Sequence, residues 1–154
     1  MKQIVCLLAA ALCALSLTGC QSKKTGPDDL SAVHQELSAQ AELSDMLALS
    51  ADELGTFYGI AAEDVKQFAA SVNSTGIRCD EIVLIEATDE EAAARVKEQL
   101  DSRYASQLAQ FETYLPDQYE ILQKCGVRQD GNYVAMIVAA DPAPLVKLYE
   151  AYFD

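Results

Sequence analysis

The amino-acid sequence predicts an α+β domain built on a small, mostly antiparallel, four-stranded sheet packed with helices. Residues 82–85 and 133–140 are apolar at successive positions, which is typical of strands covered on both faces. Residues 96–115 repeat apolar side chains every three or four positions, as an amphipathic helix does. Asp130-Gly131 marks a hairpin turn before the second apolar run, so we expect antiparallel pairing there.

The N-terminal half of the predicted domain supplies two helices and one strand. Residues 30–48 place apolar side chains at helical spacing, which predicts a first helix over that whole range. Ser50 and Glu53 form a capping box for a second, short helix that ends at Gly59. Residues 65–72 alternate between apolar and polar positions, which predicts an edge strand with Phe68, Ala70 and Val72 on one face.

Capping signals define the remaining helices. Thr88 and Glu91 form a capping box at the start of the long helix. Pro116 breaks that helix, and a further helix is expected over residues 117–125. Asp141, followed by Pro142, begins a last helix whose inward side chains are Leu145, Leu148, Tyr149 and Tyr152. The predicted order is α-α-β-β-α-α-β-β-α, with helices on at least one face of the sheet.

The first residues have the three parts of a bacterial secretion signal. Lys2 is followed by an apolar run over residues 4–15 and by small residues before Cys20. The segment 17–20, Leu-Thr-Gly-Cys, resembles a lipobox, in which the cysteine thiol is lipidated before cleavage. We therefore predict a lipoprotein signal peptide over residues 1–19 and a lipid anchor on Cys20 at the outer face of the cell membrane. The alternative is an ordinary signal peptide with a chance cysteine.

Residues 20–29 are predicted to form the lipidated cysteine and a flexible tether, and residues 30–154 a single domain. Removal of residues 1–19 takes away only the charge of Lys2, so the net charge changes from −13 to −14. Such a charge opposes binding to nucleic acid. The expected partners are the membrane, through the lipid, and an unknown envelope protein or ligand, although an acidic surface also serves solubility alone.

Of the five cysteines, two lie in the predicted domain. Cys6 and Cys13 leave with the signal peptide, and Cys20 carries the lipid. Cys79 and Cys125 remain, and export permits a disulfide between them. Two free thiols are the alternative, because the pairing depends on geometry that the sequence does not contain.

The sequence contains no recognisable catalytic, cofactor or metal motif. His34, the one histidine, lies beside the apolar stripe of the first helix without a second metal-ligating residue nearby. The acidic clusters lack the ligand spacing of a calcium loop, and no glycine-rich phosphate loop is present. We therefore assign no catalytic residue, cofactor or metal from the sequence.

One set of polar residues is a candidate site. Glu81 precedes a buried strand, and Arg103 lies on the helix that follows, so the two side chains meet if that helix packs back on the sheet. Tyr114, Tyr119 and Tyr133 flank Pro116 and the hairpin, and we expect their hydroxyls in the same neighbourhood. One hypothesis is a polar pocket for a small ligand or peptide, and the other is a structural ion pair with tyrosine hydroxyls around it.

Several short motifs, taken in order, resemble the domain of unknown function 4358 family. They are Tyr58-Gly59-Ile60, Asp80-Glu81-Ile82, Asp89 at a helix start, Arg103, Tyr114-Leu115-Pro116, Gly131-Asn132-Tyr133-Val134 and Asp141. The resemblance covers about residues 45–141, and the helix at 30–48 is less clearly part of it. It implies a lipoprotein of the Gram-positive envelope, since that family consists largely of lipoproteins from Clostridia and their relatives. It implies no activity or cofactor.

We therefore expect a non-enzymatic, membrane-anchored binding or interaction module of the cell envelope. The alternative is a small-ligand receptor or envelope enzyme that uses a polar pocket near Glu81 and Arg103. A purely structural envelope protein is a third hypothesis.

Overall fold

The computed structural model describes residues 26–153, so the predicted signal peptide and the lipidation site Cys20 lie outside the described residues. The helices are α1 (Leu30–Gln40), α2 (Ala51–Tyr58), α3 (Glu90–Tyr114), α4 (Pro116–Leu122) and α5 (Pro142–Glu150). The strands are β1 (Met46–Ala48), β2 (Val65–Asn73), β3 (Glu81–Ala87), β4 (Gly126–Asp130) and β5 (Tyr133–Val138). The predicted α+β class is confirmed. Among residues 26–153, no helix combines the length and apolar character needed to cross a bilayer.

The sheet has five antiparallel strands in the order β1-β2-β3-β5-β4, one strand more than predicted. The additional strand is β1, which the sequence had placed at the end of the first helix. That helix ends at Gln40, because Glu42 and Asp45 adopt φ angles of 50° and 58°, which a right-handed helix does not contain. Leu47 is consequently 49% exposed at the sheet edge and not part of a helical stripe.

Helices cover both faces of the sheet, giving three layers. Every residue of β3 is buried, as expected for a central strand. One face packs against α1 and α5, through a cluster that includes Leu30, Leu37 and Tyr149. The other face packs against α2, α3 and α4, through a cluster that includes Leu54 and Leu100.

Strand β2 is second in the strand order, but β1 covers only its last residues. Most of β2 is therefore an edge of the sheet, as predicted. Its neighbour β1 pairs only with residues 71–73, whereas β3 pairs along residues 65–72. Phe68, Ala70 and Val72 share the face that packs towards α3, which confirms the predicted alternation. The part of β2 before Ala70 therefore has a strand on one side only within the described residues.

Most helix ends agree with the capping signals. Ser50 and Glu53 form the predicted capping box, and Gly59 ends α2 with a φ of 70°, a value that favours glycine. The long helix begins one residue later than predicted, because the side chain of Asp89, and not that of Thr88, accepts the Ala92 N–H. Helix α4 includes Pro116 and ends at Leu122, three residues before the predicted end.

The predicted tether overlaps the folded domain. A Cβ atom on Gly26 would overlap with the rings of Tyr133 and Phe153, so the chain passes close against both. Pro27 accepts a 3.3 Å hydrogen bond from the Tyr133 hydroxyl, and Asp29 caps α1. The chain is therefore part of the domain from Gly26 onward and not from Leu30.

Candidate functional site

Glu81 is a buried acid at the first position of the central strand. It pairs with Val72 on one side and with Val138 on the other, so its side chain points to the face that α2 and α3 cover. Only 1% of its surface is exposed. A carboxylate in such surroundings is costly unless hydrogen bonds and an opposite charge compensate it.

Three side chains from two helices compensate the Glu81 carboxylate. Arg103 Nη2 lies 3.0 Å from Oε2, and Gln107 Nε2 donates to the same oxygen at 2.6 Å. The Tyr58 hydroxyl donates to Oε1 at 2.7 Å. Arg103 and Gln107 are four residues apart on α3 and thus share one helix face. The Arg103 guanidinium also lies over the Tyr58 ring, 5.6 Å from its centroid. We call these four residues the Glu81 cluster.

The surroundings of Tyr58 and Arg103 hold these two side chains in fixed protonation states. Burial and the adjacent Glu81 charge raise the pKa of Tyr58 well above its ordinary value. Burial opposes the charge on Arg103, but the hydrogen bond and charge of Glu81 outweigh it and raise the pKa of Arg103. Tyr58 therefore stays a neutral donor and Arg103 a cation at ordinary pH.

The geometry of the Glu81 cluster supports a structural ion pair. Both Glu81 oxygens already accept hydrogen bonds, and neither surface groove described below is lined by Glu81 or Arg103. The Oε1 atom of Gln107 is buried without a hydrogen bond, which shows that the side-chain amide is held by its NH₂ group alone. The hypothesis of a ligand pocket at Glu81 and Arg103 is not supported by this arrangement.

The structure brings Glu81 and Arg103 together, as predicted. The predicted tyrosines do not lie with this pair. Tyr114 is 78% exposed at the end of α3, and Tyr119 packs at the margin of the core. Tyr133 lies on the opposite face of the sheet, where its ring meets Phe153 at 5.2 Å. The sheet itself separates Tyr133 from the Glu81 cluster, and none of the three tyrosines takes part in the hydrogen bonds of that cluster.

Sequence reasoning missed Tyr58 and Gln107. Gln107 could have been found, because it follows Arg103 by one helical turn on the face that packs on the sheet. Tyr58 comes from α2, 23 residues before Glu81, and no sequence spacing connects the two.

Cys79 and Cys125 are both free thiols in the structure, near α4. The Cys79 thiol donates to the Gln118 carbonyl at 3.6 Å, and the Cys125 thiol donates to the Ile121 carbonyl at 3.3 Å. Burial raises the pKa of Cys79 to about 12 and also raises that of Cys125. The disulfide between them stays a prediction.

The His34 side chain lies between α1 and β2. Its Nε2 lies 2.9 Å from the Ser71 hydroxyl on β2, and burial lowers its pKa. Within the described part of the chain, His, Cys, Asp and Glu side chains do not gather in groups of three or more that could hold a metal ion.

The surface formed by residues 26–153 includes two grooves of similar volume. The first, about 320 Å³, lies beside the end of α3 and is lined by Gly76, Gln110, Phe111, Tyr114 and Leu115. The second, about 350 Å³, lies between α2 and the outer part of β2, and we call it the edge groove. Its walls are Ala51, Leu54, Ile60, Ala62, Val65, Lys66, Gln67 and Phe68. Most of these side chains are apolar, and Lys66 is the one charged residue among them.

The fold and the Glu81 cluster define a small three-layer α+β domain with an ion pair in its interior. Residues 39–139 match the family described as domain of unknown function 4358, and this protein belongs to that family. The matched segment contains all five strands and leaves most of α1 and all of α5 outside it. The resemblance inferred from the sequence motifs is confirmed. Neither the comparison with curated proteins nor that with solved structures found a match.

Substitution Glu81→Gln tests the structural role of the cluster. We expect it to lower the free energy of unfolding by about 2 kcal/mol, because the charge-assisted hydrogen bonds to the buried carboxylate are lost, while Arg103, whose side chain is 33% exposed, keeps contact with water. The control is Asp101→Asn, which breaks the exposed Lys97–Asp101 pair at 2.6 Å. That change should cost less than about 0.5 kcal/mol. Urea denaturation measures both, and equal small effects would contradict the structural role.

Thiol alkylation tests the environment of the cysteines. Because a thiolate is the reactive species and the pKa of Cys79 is raised to about 12, Cys79 should resist iodoacetamide at about pH 8 in the folded protein. Raising the pH should increase its reactivity, and urea should expose it. Mass spectrometry of the unreduced, denatured protein then counts two alkylated domain thiols if they are free and none if they are bridged. Rapid modification of Cys79 in the folded state would contradict its burial.

Proposed function

We propose that the mature protein is held to the outer face of the cell membrane by lipid on Cys20 and acts there as a non-enzymatic binding module of the envelope. The observation that carries the binding role is the contrast between the two candidate regions. The Glu81 carboxylate is fully engaged with Tyr58, Arg103 and Gln107, whereas the edge groove is open and mostly apolar. This contrast favours binding over catalysis.

The lipid anchor is supported by the lipobox-like segment at residues 17–20 and by the place where the chain enters the domain. Gly26 passes against Tyr133 and Phe153, at the end of the sheet that also holds the β4–β5 hairpin. Five residues lie between Cys20 and Gly26, so the distance between these two residues is at most about 20 Å. An anchor on Cys20 would therefore keep the hairpin end of the domain near the bilayer.

The charge of the chain bears on the choice of partner. With a net charge of −14 after removal of the signal peptide, the domain repels nucleic acid and anionic lipid surfaces. Lys23 and Lys24, next to the proposed anchor, are the nearest positive charges to the bilayer. An envelope protein with a basic surface is the partner that this charge favours.

Metabolic labelling with a clickable fatty acid tests the anchor. The wild-type protein should carry the label and fractionate with membranes, and Cys20→Ala should lose the label because no thiol remains for the thioether. Cys13→Ala is the matched control, since Cys13 lies within the predicted signal peptide and should leave labelling intact. Retention of the label by Cys20→Ala would overturn the anchor.

A further inference from the structure

The outer edge of β2 has backbone groups that a further strand could bind. The Leu49 N–H donates to the Ala70 carbonyl at 2.9 Å, so Ala70 directs its backbone away from β3. Asn73, three positions on, instead donates to Asp80 on the β3 side at 2.9 Å. Backbone direction alternates along an antiparallel strand, so Phe68 directs its N–H and C=O outward like Ala70. Strand β1 ends before that point, and no other strand of the described residues lies there.

The edge groove lies beside the same stretch of β2. The Phe68 side chain points to the face that α2 covers, and Leu54 and Ile60 form the apolar wall across from it. An added strand would therefore find backbone partners at Phe68 and an apolar recess on one face of the sheet. Peptides that bind by strand addition use this combination, with main-chain hydrogen bonds for affinity and recesses for alternate side chains.

We propose that the outer edge of β2 accepts an extended, basic segment of a partner protein as an additional strand. Alternate side chains of that segment enter the edge groove next to Phe68, while its backbone pairs with β2 beyond the end of β1. This inference deepens the proposed binding role and rests on it, but it does not depend on the lipid anchor.

The charges around the edge groove select a basic partner. Lys66 is paired with Glu86 at 2.6 Å, and Asp64 with Arg95. Asp52 and Glu63, which adjoin the groove-lining residues Ala51 and Ala62, are exposed acids. Lys66 is the one charged side chain among the walls of the groove, and Glu86 offsets its charge. The exposed acids beside the groove therefore leave a local negative surplus that attracts lysine or arginine on the incoming segment.

The same charges oppose a second copy of this chain as the occupant. Each copy without residues 1–19 has a net charge of −14 (−13 less the charge of Lys2), and pairing two such edges would bring like charges together. The register shift around Lys66 also shortens the regular edge, which discourages continuous edge-to-edge pairing of two copies. A short, basic strand from a different protein avoids both problems.

Binding of defined peptides tests strand addition, with the full protein purified from the cells that express it, whether it fractionates with membranes or not. The probe is a fluorescein-labelled octapeptide of alternating lysine and valine, measured by fluorescence anisotropy. The comparison peptide has the same side chains with an N-methyl group on each valine, which removes the donors needed for pairing. We expect the N-methylated peptide to bind at least about tenfold more weakly. Equal affinities would overturn strand addition and indicate charge attraction alone.

Substitutions locate the binding surface. Ala62→Trp fills the edge groove and Glu63→Lys reverses a flanking charge, and each should weaken binding of the lysine–valine peptide by about tenfold. The matched controls on the exposed face of α3, Ala105→Trp and Glu112→Lys, should leave it unchanged. Equal effects of groove and control variants would overturn the site.

Amide hydrogen exchange and sedimentation complete the test. The lysine–valine peptide should protect the Phe68 amide and leave the amides of β4 unaffected, whereas protection of β4 alone would contradict the assignment. If sedimentation showed a concentration-dependent dimer that Ala62→Trp abolishes, the occupant of the edge groove would be a second copy of this chain. That result would overturn the proposal of a basic partner segment. If the wild-type protein carried no fatty-acid label, the proposed anchor on Cys20 would be wrong, but the peptide-binding results would not change. Failure of the anchor and failure of strand addition can therefore be told apart.

Discussion

The burial of the Glu81 carboxylate in the central strand constrains the rest of this domain. A charge with 1% exposure requires a counter-ion and several hydrogen-bond donors, and these come from two different helices. Arg103 and Gln107 fix the rotation of α3 above the sheet, and Tyr58 fixes the end of α2. Because α2 is also one wall of the edge groove, the buried acid and the open surface are parts of one arrangement.

Those parts of the fold that depend on local patterns could be predicted from the sequence. The run at residues 82–85 is apolar on both faces, and Asp130-Gly131 has strong turn chemistry, so β3 and the β4–β5 hairpin were found. Strand β1 was missed, because three residues are too few for a periodicity and its position depends on pairing with β2. The positive φ angles of Glu42 and Asp45 that separate it from α1 have no signal in the sequence.

The candidate site, like the fold, could be predicted from the sequence only in part. The pairing of Glu81 with Arg103 followed from an acid at the start of a buried strand and a helix that packs back on it. Tyr58 could not be predicted, because α2 reaches Glu81 only through tertiary packing. Tyr133 was misassigned because it projects from the face opposite Glu81. The edge groove was not predicted, since its walls come from α2, from the segment after it and from β2, which meet only in the folded domain.

A double-mutant cycle between Tyr58 and Glu81 tests the central claim most directly. Urea unfolding of Tyr58→Phe, Glu81→Gln and the double variant gives the coupling free energy between a hydroxyl on α2 and the buried acid on β3. A buried hydrogen bond to a charged group predicts a coupling of about 1.5 kcal/mol or more. Additive effects of the two substitutions would contradict the claim that the Glu81 cluster ties α2 to the sheet and so shapes the groove.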